Sequence, residues 1–385
     1  MIPYGRQDIT QADIDAVTEV LQSDFLTQGP KVPEFETALA AQVGARFGVA
    51  VNSATSALHI ACMALDLGPG DRLWTTPVTF VASANCGRYC GADVDFVDID
   101  PNTYNISVSA LAAKLETAAQ SGTLPKVLVV VHLAGQPCEM QAIRALTAEY
   151  NIAIIEDASH AVGGRYQDEP IGNGRYSDIT VFSFHPVKII TSAEGGMALT
   201  NDEQLAERMR LARSHGITRD AEQMTQAPDG DWYYQQLSLG YNYRMTEMQA
   251  ALGLSQLQRL DAFVTARHAI ANRYDTELAG LPLQLPWQHP DSYSAYHLYI
   301  IRLATDQLTY SHTHIFSELR ARGIGVNLHY IPVHTQPYYQ QLGFKPDQFP
   351  QAMAYYREAI SIPMFASLTE SDQQQVIATL HEVLT

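Results

Sequence analysis

Ile152-Ala153-Ile154-Ile155-Glu156-Asp157 is a short apolar run that ends in two carboxylates. Strands of parallel sheets read as continuous aliphatic runs, and open α/β sheets bind their ligands at the carboxyl ends of those strands. The run therefore predicts a strand that delivers Asp157 to the working edge of a sheet. Taken alone, Asp157 would serve equally well to start a turn or cap the next helix. The surrounding sequence repeats the pattern. Phe47 to Val51, Leu73 to Thr75, Val94 to Val97, Val127 to Val131, Val181 to Phe184 and Gly196 to Thr200 read as further strands. Helical patterns separate most of them; one runs from Thr55 to Leu65 and stops at Gly68-Pro69-Gly70. Only a loop joins the last two strands. This alternation predicts an α/β fold with a mostly parallel central sheet flanked by helices.

The chain has 385 residues, 46% apolar and 17% charged, which is ordinary globular usage. Its 24 Lys and Arg face 41 Asp and Glu, a net charge of −17. That balance argues against a nucleic-acid partner, because phosphate backbones require clustered basic side chains. Cys62, Cys86, Cys90 and Cys138 have neither metal-site spacing nor the density of a disulfide scaffold, so they read as buried thiols. No metal is expected. The first residues lack a secretory pattern, and the most apolar run, Val127 to Val131, is too short to cross a bilayer. The expected location is cytoplasmic, with no membrane partner.

Thr10-Gln11-Ala12-Asp13 forms a capping-box pattern ahead of Ile14, Val17, Val20 and Leu21 at helical spacing. Around Tyr241 the texture changes. Arg244 to about Leu278 reads as one long helix, after which Pro282, Pro286 and Pro290 break the chain. A smaller α+β unit is expected beyond it, with a strand at Tyr296 to Ile301 and helices near 312–322 and 369–384. The expected division is a large domain over 1–245 and a long helix plus small C-terminal domain over 246–385, with the N-terminal segment packing on the latter. Asp220 to Asp231 reads as an exposed loop.

Three further stretches carry chemistry. Ser183-Phe184-His185-Pro186-Val187-Lys188 precedes Thr191-Ser192-Ala193-Glu194-Gly195-Gly196, placing a lysine in a tight apolar loop between two strands. Burial there would lower its pKa, as an amine that forms a Schiff base requires; a solvated loop lysine is the plainer alternative. Asn52-Ser53-Ala54-Thr55-Ser56-Ala57 joins a strand to a helix, where free N–H groups and hydroxyls suit a phosphate or simply cap the helix. Phe80, in Thr79-Phe80-Val81-Ala82-Ser83, sits where it can stack on a planar ring or fill the core. Pyridoxal phosphate needs an amine, a carboxylate for its ring nitrogen, a phosphate cradle and an aromatic face. The sequence offers each of these once.

With these residues in view, the chain resembles the DegT/DnrJ/EryC1/StrS sugar aminotransferases, a family of fold-type I pyridoxal-phosphate enzymes. The resemblance runs from Ser23-Asp24-Phe25-Leu26-Thr27-Gln28-Gly29-Pro30 through Glu156-Asp157-Ala158-Ser159-His160 and Ser183 to Lys188. It continues through Gly240-Tyr241-Asn242-Tyr243-Arg244-Met245-Thr246-Glu247 to His329-Tyr330-Ile331-Pro332. Asn52 to His59, Trp74 to Cys90 and Asp95 to Asp100 look like the members that serve pseudaminic acid biosynthesis.

The resemblance implies a ping-pong transamination with pyridoxal 5'-phosphate, and its pyridoxamine form as intermediate. The amino group would pass from L-glutamate to C4 of a UDP-4-keto-6-deoxy-N-acetylhexosamine. It implies Lys188 as the amine that takes the cofactor aldehyde, Asp157 on the ring nitrogen, and Phe80 and His160 against the ring. Thr55, Ser56 and Ser183 would take the phosphate. Asn242 would reach the phosphate region of a neighbouring subunit, making a homodimer with shared sites. Tyr4, Asp24, Phe25, Leu26, Thr27, Ala54, Ser183, Asn242, His329 and Tyr330 would line the sugar pocket. Some relatives are dehydratases with a histidine in place of the lysine; Lys188 counts against that reading. A cofactor-bound regulator is the alternative of a different class, and another nucleotide 4-ketosugar the nearer one.

Overall fold

The computed structural model describes residues 1–385. Seven strands form the main sheet: β1 Phe47–Val51, β2 Arg72–Thr75, β3 Asp93–Phe96, β4 Val127–Val131, β5 Ala153–Asp157, β6 Ile179–Ser183 and β7 Gly196–Thr200. Their spatial order is β1-β7-β6-β5-β4-β2-β3. The pairs from β3 to β6 are parallel, while β7 runs antiparallel to both β6 and β1. One reversed strand therefore sits in an otherwise parallel sheet. The strands lie within about two residues of their expected positions, because runs such as Val127–Val131, buried throughout, leave little choice.

Period two then sorts the side chains. Val49, Val51, Ile155, Val181 and Ala198 face one core, shared with Ala57, Leu58 and Ala61 of α3 (Ala54–Ala64), which follows α1 (Gln11–Leu21) and α2 (Lys31–Val43) in the chain. Ala50, Ile154, Phe182, Met197 and Leu199 face the other, packed with Phe35 and Leu39 of a helix at Lys31–Val43. Burial of each large aliphatic side chain contributes roughly 1.5–3 kcal/mol. Both faces are therefore closed, and what remains open is the carboxyl edge. There β5 ends in Asp157, β6 ends in Ser183, and β1 leads into α3.

The single long helix expected from Arg244 is instead two, Glu247–Leu257 and Leu260–Glu277. They are broken at Gln258-Arg259, where Arg259 leaves helical geometry (φ −107°, ψ 8°). Apolar spacing does not register a two-residue break, but the use made of Arg259 explains it. Its guanidinium donates to Asp13 Oδ2 at 2.6 Å and to Asp8 Oδ1 at 2.8 Å. Asp13 does more than complete the capping box with the Thr10 N–H at 2.8 Å. Its buried carboxylate also accepts from Ser255 and Gln256, tying the helix Gln11–Leu21 to the break.

Burial works to raise the Asp13 pKa, but hydrogen bonds from Thr10 and Ser255 and the charge of Arg259 outweigh it and hold it low. Arg259→Ala removes the cationic partner of that buried carboxylate and is expected to cost about 3 kcal/mol at neutral pH. Because the folded-state pKa is depressed, the contribution is present at neutral pH and lost as acid protonates Asp13. Urea unfolding of both proteins at pH 7 and pH 3.5 checks this; an equal penalty at both values would refute it.

The C-terminal part has a three-stranded sheet of Leu283–Gln284, Tyr299–Leu303 and Ala359–Ile362, with helices at His312–Ala321 and Glu370–Leu384. The strand expected from Tyr296 begins three residues later. Tyr296 takes a left-handed conformation (φ 45°), and the buried Arg267 Nη1 donates to the carbonyls of Tyr296 and His297 at 3.0 and 3.2 Å. Those two residues are thereby withheld from the ladder. The N-terminus joins this region, with Ile2 N–H on the Gly323 carbonyl at 2.8 Å and the Tyr4 carbonyl accepting from Met364 at 2.9 Å. Cys62, Cys86 and Cys138 are buried, whereas Cys90 is only half-buried. No helix is long and apolar enough to cross a membrane.

Candidate active site

A cavity of about 480 Å³ opens at the carboxyl edge of the sheet. Asp157 closes β5 at its floor, with both carboxylate oxygens engaged. Oδ2 accepts from Ser83 Oγ at 2.6 Å, and Oδ1 accepts from Ser159 Oγ at 2.6 Å and its N–H at 3.2 Å. Thr79 lies 2.7 Å behind Ser83, continuing the chain of hydroxyls. A carboxylate is acceptor-only with about four lone-pair sites, so Asp157 retains capacity toward the cavity.

Lys188 stands in the β6–β7 loop, which the reversal of β7 brings back over the same edge. The hairpin is tight: Phe184 N–H bonds the Gly195 carbonyl at 2.9 Å, and Lys188 N–H the His185 carbonyl at 2.9 Å. Burial lowers the Lys188 pKa to about 8, against the opposing pull of Asp157. Gly196 has a steric reason to be glycine. A Cβ there would meet Ala54 N at 2.5 Å and Ser53 C at 2.6 Å, so only hydrogen lets β7 press against the turn into α3. That turn is capped by Ser53, whose hydroxyl accepts the Ser56 N–H at 3.1 Å, leaving the first-turn N–H groups of α3 at the cavity.

Three histidines crowd the inner wall. His160 Nδ1 accepts the Ala134 N–H at 3.2 Å, which places its proton on Nε2, facing the Tyr330 hydroxyl at 3.1 Å. Burial, with a smaller contribution from Lys188, holds His160 well below the ordinary imidazole value. His297 packs on it with ring centroids 4.3 Å apart and is likewise held low by burial. His329 is pushed down to about 3, by burial and then Lys188, and its Nδ1 meets Ser361 Oγ at 2.8 Å. All three are neutral at pH 7. Lys188 is therefore the cation of the inner wall, and Asp157 its anion.

Asp157, Lys188, Ser183, Thr55, Phe80 and His160 line this one cavity, as do Tyr4, Ala54, His329 and Tyr330. Phe80 is 56% exposed, so its ring is available to a ligand and is not core packing. Ser56 does not line the cavity; its hydroxyl donates to Asn52 Oδ1 at 2.7 Å and braces the cap. Asp24, Phe25, Leu26, Thr27 and Asn242 also lie outside it and are exposed. The Leu26 carbonyl accepts the Glu247 N–H at 3.1 Å, which puts that run beside the second half of the chain. Sequence reasoning missed Ser83, Ser159, His297 and Asn327. Ser83 and Ser159 were inside quoted motifs, and their signal was adjacency to Phe80 and Asp157; His297 and Asn327 reach the site only through the tertiary fold.

The DegT/DnrJ/EryC1/StrS aminotransferase family matches residues 7–381. The chain belongs to that family. Among relatives, the Spore coat polysaccharide biosynthesis protein SpsC of Bacillus subtilis is 40% identical, covering 100% of this chain and 97% of that one. Among solved structures, Helicobacter pylori PseC, an aminotransferase involved in the biosynthesis of pseudoaminic acid, superposes with a TM-score of 0.90 at 32% identity over 100% of this chain and 99% of that one. The putative sugar aminotransferase Spr1654 of Streptococcus pneumoniae, in its PMP form, gives 0.89 at 31% identity over 100% and 99%. The DegT/DnrJ aminotransferases are fold-type I enzymes, and the sheet described above is that fold.

Proposed function

We propose that the protein is a pyridoxal-phosphate-dependent aminotransferase that moves the amino group of L-glutamate to C4 of a UDP-4-keto-6-deoxy-N-acetylhexosamine. The acceptor in this reading is UDP-2-acetamido-2,6-dideoxy-β-L-arabino-hex-4-ulose and the product UDP-4-amino-4,6-dideoxy-N-acetyl-β-L-altrosamine. The observation that carries it is one cavity with Lys188 and Asp157 on its walls and the start of α3 at its rim. The residues fit the cofactor. Asp157, held by Ser83 and Ser159, has a lone pair for a ring N–H, and Phe80 offers an exposed face. Thr55, Ser183 and the first N–H groups of α3 offer donors to a phosphate.

When bound, the cofactor supplies an electron sink and carries the amino group between the two substrates. Lys188 would hold it through its aldehyde, and the Lys188 amine would accept and return the proton that transamination requires. A pKa near 8 leaves that amine able both to accept and to return a proton at neutral pH. Asp157 would keep the ring nitrogen protonated by opposite charge. Tyr330, with His160 behind it, orients a hydroxyl into the cavity, while Tyr4 and His329, ring centroids 5.1 Å apart, form a wall for the sugar.

Exposed Asn242 and the run Asp24 to Thr27 fit contributions to the cavity of a second copy, so the active unit in this proposal is a homodimer with shared sites. Four free thiols fit a cytoplasmic setting.

The SpsC relative, at 40% identity, favours a second reading with the same chemistry on another nucleotide 4-ketosugar. Purified protein loaded with cofactor and given glutamate should release 2-oxoglutarate continuously only when the named ketosugar is present. Stoichiometric release with glutamate alone, and no turnover on this sugar, would favour the second reading. No release under either condition would sink the aminotransferase proposal.

A further inference from the structure

Arg267, on the helix Leu260–Glu277, is a fully buried cation whose bonds go to carbonyls and not to an acid. Withdrawing such a charge from water is costly, and an apolar side chain of similar length would fill the space without that cost. Packing therefore does not account for the residue. Its Nη1 donates to the carbonyls of Tyr296 at 3.0 Å, His297 at 3.2 Å and Met364 at 3.0 Å. These carbonyls belong to two segments far apart in sequence, and each segment sets one part of the cavity wall.

The first segment lies against the turn Leu133–Gly135. Ala295 N–H bonds the Gly135 carbonyl at 3.0 Å, and Leu298 N–H bonds the Ala134 carbonyl at 3.2 Å. Gly135 (φ +102°) permits the approach, since a Cβ there would meet Tyr296 N at 2.8 Å and His297 N at 3.0 Å. His297 lines the cavity and packs on His160, which in turn meets the Tyr330 hydroxyl at 3.1 Å. Its own Nδ1 is buried without a hydrogen-bond partner, so the ring takes its place from packing and from the backbone that Arg267 holds. The second segment is the turn at Met364, whose N–H bonds the Tyr4 carbonyl at 2.9 Å. Tyr4, packed on His329, lines the same cavity. Asp157 and Lys188 depend on other bonds, to Ser83 and Ser159 and within the β6–β7 hairpin.

We propose that Arg267 is a positioning residue for the wall assigned to the sugar, fixing His297 behind His160 and Tyr330, and fixing Tyr4 through Met364. This rests on the reading of the cavity as a nucleotide-sugar aminotransferase site. One guanidinium then sets the spacing between the Tyr330 hydroxyl and the Tyr4 ring. Its removal leaves three buried carbonyls without that donor and frees both segments to move. The glutamate half-reaction, which rests on Lys188 and Asp157, is spared, and binding of the acceptor sugar is weakened.

The test compares the cofactor-loaded protein with Arg267→Met, which keeps length without charge or donors, and Arg267→Lys, which keeps charge and three N–H groups. Arg267→Met is expected to raise KM for the ketosugar about tenfold or more, and to change the glutamate half-reaction less than about twofold. Arg267→Lys should recover most of the loss. A second readout needs no turnover. In protein labelled with nitrogen-15 at histidine, the imidazole signals of His160 and His297 should move in Arg267→Met and stay in Arg267→Lys. Arg267→Gln takes the place of a Met variant that does not fold, with the same split expected. Equal losses in both half-reactions, an unchanged ketosugar KM or unmoved histidine signals would overturn the proposal, as would failure of all three variants to fold. If the wild type reacts with glutamate but takes no ketosugar, the substrate reading fails, and the histidine signals alone decide whether Arg267 positions the wall.

Discussion

Lys188→Ala is expected to lower kcat by about 10⁴-fold or more while the protein folds and retains the sheet. Lys188→Arg should be just as inactive, because guanidinium keeps size and charge but cannot give up its proton. The pair of variants separates the chemistry of a neutral amine from the mere presence of a cation. The wild-type amine carries a second expectation. Its pKa of about 8 in place of 10.5 means that roughly half of it is neutral at pH 8. Covalent uptake of pyridoxal phosphate by cofactor-free protein, followed by the visible absorption it creates, should rise with pH and reach half its plateau near 8. A midpoint above 10 would mean that burial does not tune this lysine. A Lys188→Arg protein with more than a tenth of wild-type turnover would remove it from the chemistry.

Asp157→Asn should cost about 10³-fold in kcat, the scale on which a fixed electrostatic partner at a reacting centre is felt. The amide is nearly isosteric, and one of its two positions can still accept from Ser83 or Ser159, so the loss reports charge more than shape. The opposing control is Ser159→Ala. It removes a donor at 2.6 Å and leaves the carboxylate, and should cost about tenfold or less. If Asp157→Asn fell no further than Ser159→Ala, the charge on Asp157 would be incidental to the reaction.

The main sheet was legible because its strands are short aliphatic runs punctuated by glycine and proline, and a fully buried strand tolerates little else. Lys188 and Asp157 were legible for a related reason, since polar residues at the ends of such runs have only the sheet edge to occupy. Less could be read where one side chain overrides a local pattern. Arg259 breaks a helix to pair with Asp8 and Asp13, some 250 positions earlier, and no window of sequence contains both partners. Arg267 likewise delays a strand by holding the carbonyls of Tyr296 and His297. Ser56 lies on the expected turn, where its hydroxyl bonds Asn52; a hydroxyl in a first helical turn has the cap to serve as well as a ligand. The orientation of that hydroxyl depends on Asn52, which the composition of the turn does not settle.

The reversed strand has a bearing on how the chain is made. β1 lies at the margin of the sheet and β7 is its sole neighbour there, yet β7 begins at residue 196 and β1 ends at residue 51. At ribosomal rates of about 5–20 residues per second, β1 is synthesised roughly 7–29 s before its partner. Through that interval Val49, Ala50 and Val51 stand on an unpaired edge, the kind of surface that recruits other strands. The hairpin bearing Lys188 closes over the 12 residues 184–195 and forms quickly, whereas the pairing that seals the sheet spans far more chain and comes late. Yield during overexpression should therefore depend on translation speed and chaperone supply across this interval more than on the stability of the finished fold.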